Sequence, residues 1–261
     1  MSTPTLRTLL VATIGGCVHL GAVEFLFRWL SHVPDSLWPL ASVTSAVFVF
    51  AFGFLVVLLS VHTRLLSPIV GLPTLLVWAT YRDAASPTPE WSELGGHLVV
   101  DGSVYLTSYV GTWYVWLATI VVFAAVEYGL RHYYGIGEKR LRNLPPVPLS
   151  RRKTVLVAGA VGGTFGVAVV AWMAGIGVNP AGIIPVLAVA TALVAAVPVA
   201  AAVARGLVTP TACFLALVVP VLLNQTFVGG EGGPVLLLML GPLAVGFAIV
   251  GLLEDRLRTR L

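Results

Sequence analysis

Long apolar runs alternate with short polar segments along the whole chain, and this pattern predicts a bundle of membrane-spanning helices. A helix crosses the hydrocarbon core of a bilayer with about 20 consecutive apolar residues. Backbone groups inside hydrocarbon must pair within their own segment, so each run is expected to be a helix. The predicted spans cover residues 8–29, 39–61, 65–81, 104–130, 154–178, 181–204, 207–227 and 234–253. The predicted fold class is therefore an all-α, polytopic transmembrane bundle of about eight spans.

The third run, residues 65–81, is the least regular of these spans. It is short, and it contains Pro68, Gly71 and Pro73. Proline removes a backbone donor and is accepted in a membrane helix only where neighbours satisfy the freed carbonyls. The sequence leaves two interpretations open for this run, a kinked span and a re-entrant segment.

Composition agrees with lipid as the natural solvent. Hydrophobic residues make up 58% of the 261 residues and charged residues only 10%, whereas soluble domains carry about 25% charged residues. The net charge of +4 does not indicate a nucleic-acid partner, because the basic residues stand in short clusters between apolar runs. Cys17 and Cys213 both lie inside such runs, which argues against a disulfide framework or a zinc site.

The distribution of lysine and arginine predicts the orientation. With the N-terminus in the cytoplasm, 13 of these residues fall in inner segments, and only Arg28 and Arg82 fall outside. Short cytoplasmic loops carry this excess in membrane proteins. A seven-span arrangement would break the alternation on one side of the missing span. We therefore expect a multi-pass protein of the plasma membrane with both termini in the cytoplasm.

A basic, proline-rich connector, residues 135–153, separates two unlike membrane halves, residues 1–134 and 154–261. All five His, all seven Tyr and six of the seven Trp precede residue 135, while the second half is rich in Ala, Val, Gly and Pro. The connector has the composition that attracts anionic lipid headgroups, although a purely topogenic role explains the same charges. The bilayer is the one partner that the sequence indicates directly.

Span one carries the most conspicuous polar residues. Cys17, Gly21, Glu24 and Arg28 share one helical face, and His19 lies elsewhere around the helix. An ionisable group at this depth is a functional candidate by default. Glu24 also precedes Arg28 by four residues, which is the favoured order for an ion pair within one helix. The sequence leaves two interpretations open. Glu24 and Arg28 line a polar site in the outer half of the membrane, or they form an ion pair with each other and have no further role.

Three other features are candidate binding or catalytic groups. Tyr109 and Trp113 follow Tyr105 on one predicted face of span four, where they could hold a planar or isoprenoid ligand or simply pack. His97 stands in the acidic segment 82–103, which is expected to be a solvated loop rather than a divalent-ion site. Asn224 is expected to form an interhelical hydrogen bond. No metal site is predicted, and the sequence assigns no cofactor.

A short sequence pattern recurs at the ends of three spans. Glu24 and Arg28, Glu127 and Arg131, and Glu254 and Arg258 all have the same spacing. An inverted repeat would give such a pattern. We favour the simpler interpretation, in which three helices use the same charged pair at their C-terminal ends.

These features support two functional hypotheses. The first is a transporter-like or small-ligand-binding helical bundle, or an accessory membrane subunit, with Glu24, Arg28, Tyr109, Trp113 and Asn224 as candidate lining residues. The alternative is an intramembrane enzyme acting on a lipid, isoprenoid or peptide, with Glu24 as acid or base and His19 or His97 assisting. A polar cluster converging on Glu24 would favour the enzyme, and scattered positions would favour the bundle.

Overall fold

The described part of the chain folds into a bundle of helices and a two-stranded β-hairpin. The computed structural model describes residues 3–30, 40, 42–94, 97–102, 104–145, 149–177, 182, 184–227 and 239–260. The helices are α1 (Leu6–Leu30), α2 (Val43–Thr63), α3 (Ser67–Ala85), α4 (Tyr105–Gly111), α5 (Trp113–Tyr133), α6 (Arg151–Gly175), α7 (Ile184–Arg205), α8 (Thr209–Phe227) and α9 (Leu240–Arg258). The strands are β1 (Glu90–Leu94) and β2 (His97–Asp101).

Each predicted apolar run contains a helix, which agrees with a membrane helical bundle. Within the described ranges, six helices are long and apolar enough to cross a bilayer: α1, α2, α5, α6, α7 and α8. Helices α3 and α9 each have 19 residues but do not belong to this group. Residues 39, 181 and 234, at which three predicted runs begin, lie outside the described residues.

The prediction of one continuous helix over residues 104–130 is wrong. The helical path breaks at Thr112, whose backbone angles are φ −111° and ψ 15°, and this residue separates α4 from α5. Gly111 and Thr112 are both poor helix formers. The Thr112 hydroxyl links the two helices, since it donates to Ser108 O at 2.7 Å and accepts from Trp116 Nε1 at 3.0 Å.

The acidic segment after α3 is not simply a loop. Strands β1 and β2 form an antiparallel hairpin in which Glu90 pairs with Asp101 and Leu94 pairs with His97. The sequence between the two strands is Gly-Gly, which favours tight hairpin turns. The side chain of His97 lies outside what the structure describes, so its proposed assisting role stays a prediction.

Two antiparallel helix pairs, α1 with α2 and α6 with α7, flank a central helix. Helix α5 contacts α2, α3, α6 and α7, and most of its length is buried. Gly129 of α5 lies directly against the backbone of Ala202 in α7, where even a β-carbon would collide. Small residues permit this close approach, as is typical of helix contacts in membranes.

Most of the turns that carry basic residues meet at one end of the bundle, which we call the basic end. It comprises the α2–α3 turn, the last turn of α5, the connector, the α7–α8 turn and the last turn of α9. Hydrogen bonds join these parts: Arg142 N donates to Thr63 O at 3.2 Å, and Tyr134 Oη donates to Gly206 O at 3.2 Å. This end corresponds to the side that the lysine and arginine count predicts as cytoplasmic.

Candidate functional site

Glu24 and Arg28 lie on the outer face of the α1–α2 pair, in an open cleft. Arg28 Nη2 lies 2.6 Å from Glu24 Oε1, and Arg28 Nε donates to the same oxygen at 2.7 Å. The Arg28 side chain is 72% exposed and that of Glu24 is 30% exposed. A cleft of about 540 Å³ contains this pair together with Cys17 and Gly21 of the same helical face. The structure therefore contains the intrahelical ion pair, and the pair lines the cleft without filling it.

His19 belongs to a different, buried cluster. Its Nδ1 lies 2.9 Å from Val49 O and its Nε2 lies 2.7 Å from Tyr109 Oη. A carbonyl oxygen only accepts, so Nδ1 carries a proton and donates to Val49. In neutral imidazole Nε2 then accepts from the Tyr109 hydroxyl. Both nitrogens are satisfied between α1, α2 and α4, which is the arrangement of a structural histidine.

The remaining candidates lie apart from one another. Tyr109 is fully buried, with its hydroxyl hydrogen-bonded to His19. Trp113 stacks on Phe48 at a ring distance of 5.4 Å and borders an apolar groove beside α6. Asn224 is exposed in the last turn of α8, and it is the adjacent Gln225 that is buried. Among the described residues, no group of three or more His, Cys, Asp or Glu could hold a metal ion.

Glu127 has a role that its spacing to Arg131 did not suggest. Its carboxylate accepts from the backbone N–H of Leu66 at 2.8 and 2.9 Å and from that of Ser67 at 2.6 Å. These are first N–H groups of α3, where Leu66 offers no capping side chain of its own. Arg131 Nη1 completes the arrangement, 3.1 Å from both Glu127 Oε1 and Arg64 O. We call this arrangement the first cap.

Glu254 makes the same set of contacts in the second half. Its carboxylate accepts from the N–H of Val208 at 3.1 Å and of Thr209 at 2.9 Å, at the start of α8. Arg258 pairs with Glu254 and donates from Nη1 to Gly206 O at 3.3 Å. We call this arrangement the second cap.

Electrostatics at the second cap favour the ionised carboxylate. Burial alone would raise the pKa of Glu254, but the N–H groups of Thr209 and Val208, together with Arg258, outweigh it and hold the pKa below its ordinary value. A negative charge at a helix N-terminus is favoured by the orphan donors and by the helix dipole. The second cap is therefore a charged contact between two helices, and it is strongest when Glu254 is ionised.

The turns that present these caps also match. Arg64 and Gly206, which directly follow α2 and α7, are both left-handed, with φ 61° and 63°. Each donates its N–H to a carbonyl four residues earlier, Ser60 O and Ala202 O respectively. Proline then stands at the same distance in both: Pro68 is four residues after Arg64, and Pro210 is four residues after Gly206.

Helices α1 and α6 correspond in the same way. Five buried positions of α1 align with buried positions of α6 at a constant offset: Ala12, Gly16, His19, Val23 and Phe27 with Ala158, Gly162, Phe165, Val169 and Met173. Three of the five pairs are identical residues. A β-carbon on Gly162 would strike the backbone carbonyl of Ala192, and one on Gly16 would meet the ring of Phe50 first and then its carbonyl.

Sequence reasoning found the charged pairs but missed the caps. The recipients of Glu127 and Glu254 lie 61 and 46 residues away along the chain, so helical spacing alone cannot indicate them. The signal that was present is the shared order of a basic residue, two or three apolar residues, Ser or Thr, and proline: 64–68 and 205–210. Aligning these segments with the two Glu–Arg pairs would have indicated a direct repeat.

Comparison with known proteins does not place the chain in a family. No family model matches the sequence, and neither the curated proteins nor the solved structures contain a match. Arguments about function therefore depend on the geometry of this chain alone.

Proposed function

We propose that the protein is a transporter-like membrane bundle built from two copies of one four-helix unit in the same orientation. The first unit would contain α1, α2, α3 and α5, and the second α6, α7, α8 and α9. The observation that carries this proposal is the equivalence of the first and second caps. Each joins the last helix of a unit to the start of its third helix through a Glu–Arg pair four residues apart.

A direct repeat requires an even number of spans in each half, so α3 and α9, which fall outside the six long apolar helices, would also have to cross the bilayer. With four spans before the connector, the second half would start on the same side as the first, with both caps at the basic end. Parallel repeats of this kind, related by an axis along the membrane normal, are one of the architectures of secondary transporters. This arrangement replaces the inverted relationship considered from the Glu24 and Glu127 segments, and it predicts both termini in the cytoplasm.

The third helix of each unit is irregular at the same place. Residues Phe214–Val218 of α8 form a π-helical turn, and the aligned segment of α3, residues 72–76, contains Pro73. Helix interruptions of both kinds occur at functional sites and in transporter helices, because they free backbone groups and allow bending. Their matched positions support two helices that can flex, one in each half.

The cleft around Glu24 and Arg28 is our candidate for the binding of a small polar ligand. It presents both charges together with the thiol of Cys17. The enzyme hypothesis instead needs a second polar group within about 3 Å of Glu24 that can take part in proton transfer. Among the candidates whose side chains the structure describes, His19 is bound to Val49 and Tyr109 instead, and Glu127 is bound to α3. Because His19 and Glu127 are hydrogen-bonded elsewhere, they support a ligand-binding bundle over a catalytic cluster around Glu24.

The proposal predicts that the two halves move relative to each other. In a C17A/C213A background, spin labels at L66C and V208C would report the separation of the equivalent helix starts. Both native side chains are exposed, at 56% and 41%. In liposomes we expect two distance populations for this pair, since repeat-based transporters rock one half against the other.

A control pair within one unit distinguishes this motion from general flexibility. Labels at V18C and V47C lie on the exposed faces of α1 and α2, which pack along their lengths. This pair should give one narrow population. A single narrow population for both pairs, unchanged by pH and by lipid composition, would refute the transporter-like proposal and favour a static accessory subunit.

A further inference from the structure

A lateral groove runs between α2, α5 and α6, separate from the Glu24 cleft. Its volume is about 590 Å³. Its walls are almost wholly hydrocarbon, formed by Leu55 and Leu59 of α2, Leu117 and Val121 of α5, and Val167 and Ala171 of α6. The hydroxyl of Thr164, at the edge of the groove, already donates to Ala160 O at 2.9 Å. The walls therefore offer little to a polar ligand.

Such a groove in a membrane helix bundle must contain hydrocarbon. All three helices that form it are long and apolar enough to span a bilayer. Water in the groove would have almost no polar partners, and an empty groove would forfeit van der Waals contacts along its walls. A lipid chain from the surrounding bilayer satisfies both conditions, because the groove is open at its side.

The groove reaches the basic end of the bundle, where His62 and Pro4 form its margin. The connector crosses the end of α2 at the same point: Asn143 Nδ2 donates to His62 O at 2.8 Å. Arg142, the preceding residue, is exposed and donates its backbone N–H to Thr63 O. Its guanidinium has no carboxylate within 4.0 Å among the described residues. The connector therefore brings a basic residue to the end of α2 that borders the apolar groove.

A second basic residue lies near the same end of the groove. Arg7 is three residues after Pro4, is exposed, and likewise has no carboxylate partner in the described part of the chain. Basic side chains at a membrane surface attract anionic headgroups. The charge at this end and the hydrocarbon along the walls together match an amphipathic anion.

We propose that this groove binds one phospholipid with an anionic headgroup. Its chain would lie between α2, α5 and α6, and its phosphate would lie beside Arg142 and Arg7. The lipid would come from the leaflet that meets the basic end. Because the groove separates helices of the first half from α6 of the second, the bound chain would contact both halves.

Native mass spectrometry of the full-length protein, released from detergent, tests this proposal with phosphatidylglycerol and phosphatidylcholine as the two probes. The wild type should retain one phosphatidylglycerol per chain in preference to phosphatidylcholine. R142Q should weaken phosphatidylglycerol binding about fivefold, because one basic side chain at the surface contributes on the order of a fivefold change in lipid affinity. R260Q, at the C-terminus, is the matched charge control and should leave binding unchanged.

A second set of variants tests whether the acyl chain of the lipid lies in the groove. Ala171 is exposed at the rim of the groove, so A171W places an indole in the space without displacing a buried side chain. It should weaken binding of both lipids about tenfold or more, because an occupied groove cannot hold a chain. V189W, on the exposed face of α7, is its control and should have no effect. L117W repeats the test from α5.

Three results would overturn the proposal. Equal retention of the two lipids would remove the anionic headgroup from the site. Unchanged binding in both A171W and L117W would remove the chain from the groove. A copurified isoprenyl phosphate that phosphatidylglycerol does not displace would show that the occupant is not a phospholipid.

Discussion

The hydrogen bond between His19 and Tyr109 shows how a membrane interior accommodates an ionisable side chain. Histidine at this depth is tolerated when it is neutral and both ring nitrogens have partners. Val49 O and the Tyr109 hydroxyl supply those partners from two other helices. The cluster ties the N-terminal helix pair to α4, so its contribution is to stability.

Removing the Tyr109 hydroxyl should therefore destabilise the bundle. Y109F leaves His19 Nε2 buried without a donor, and an unsatisfied buried group of this kind costs about 1–3 kcal/mol. We expect a lower thermal unfolding midpoint in detergent. Y114F is the control, because Tyr114 lines the open groove and its hydroxyl makes no hydrogen bond to the described residues. Equal midpoints for the two variants would show that the His19 hydrogen bond does not stabilise the fold.

Glu254 predicts a pH dependence with a definite sign. Its pKa in the folded chain lies below the ordinary value of 4.5, so the unfolded chain binds the proton more tightly. The stabilisation is therefore fully present above pH 4.5 and is lost as the pH falls through the lower, folded pKa. Partial exposure screens this effect, and we expect a contribution of about 1 kcal/mol.

Thermal unfolding of E254Q across pH tests this sign. The variant should unfold at a lower temperature than the wild type at pH 7, and the gap should narrow as the pH is lowered below 4.5. The charge control is D255N, because the Asp255 carboxylate pairs with Arg205 and makes no cap contact among the described residues. A gap between wild type and E254Q that widens on acidification would contradict the proposed role of the ionised carboxylate.

At the scale of elements, the long apolar runs located the helices, but steric contacts decide which helix faces pack. Helix α6 contains two overlapping pairs of glycines four residues apart, at 159 and 163 and at 162 and 166, and the sequence alone does not distinguish them. In the fold, a β-carbon on Gly162 or Gly166 would meet the α7 backbone, whereas Gly159 and Gly163 have open space beside them. Close contact with α7 therefore uses only one ridge.

This difference predicts opposite effects for two neighbouring substitutions. G162A should destabilise the α6–α7 pair by about 1–3 kcal/mol, because the added methyl group forces two backbones apart. G163A should be neutral or slightly stabilising, since alanine is the better helix former and nothing obstructs it. Unfolding in detergent and the yield of folded protein measure both, and equal losses in the two variants would contradict the observed packing.

Local chemistry explains which elements the sequence could not predict. The break at Thr112 falls where two poor helix formers, Gly111 and Thr112, are adjacent, and the length of an apolar run does not reveal it. The acidic residues around Glu90–Asp101 favoured the prediction of a solvated loop over a hairpin, although Gly-Gly between two short segments is a hairpin signal. The two caps could not be predicted from the sequence, because each depends on which helix end lies beside which helix start. Only the tertiary structure shows this.

At the scale of the whole molecule, the two halves differ in amino-acid composition but share the same structural features. Aromatic and histidine residues are concentrated in the first half, while the backbone turns, close helix contacts and caps recur in both. Packing constrains where small residues and capping carboxylates stand, but it leaves the lipid-facing side chains free to differ. Function is then expected at positions where the halves diverge, such as the cleft beside Glu24, because the aligned residue in α6 is Val170.

The side of the membrane on which the two caps lie is the most direct test of the repeated arrangement. In a C17A/C213A background, single cysteines at Thr3, Lys139 and Thr259 would be probed in intact cells and in inverted vesicles with a charged maleimide that does not cross the bilayer. The account predicts labelling of all three from the cytoplasmic side only. Labelling of Lys139 and Thr259 positions from opposite sides would leave the second half with an odd number of spans and would contradict the direct repeat.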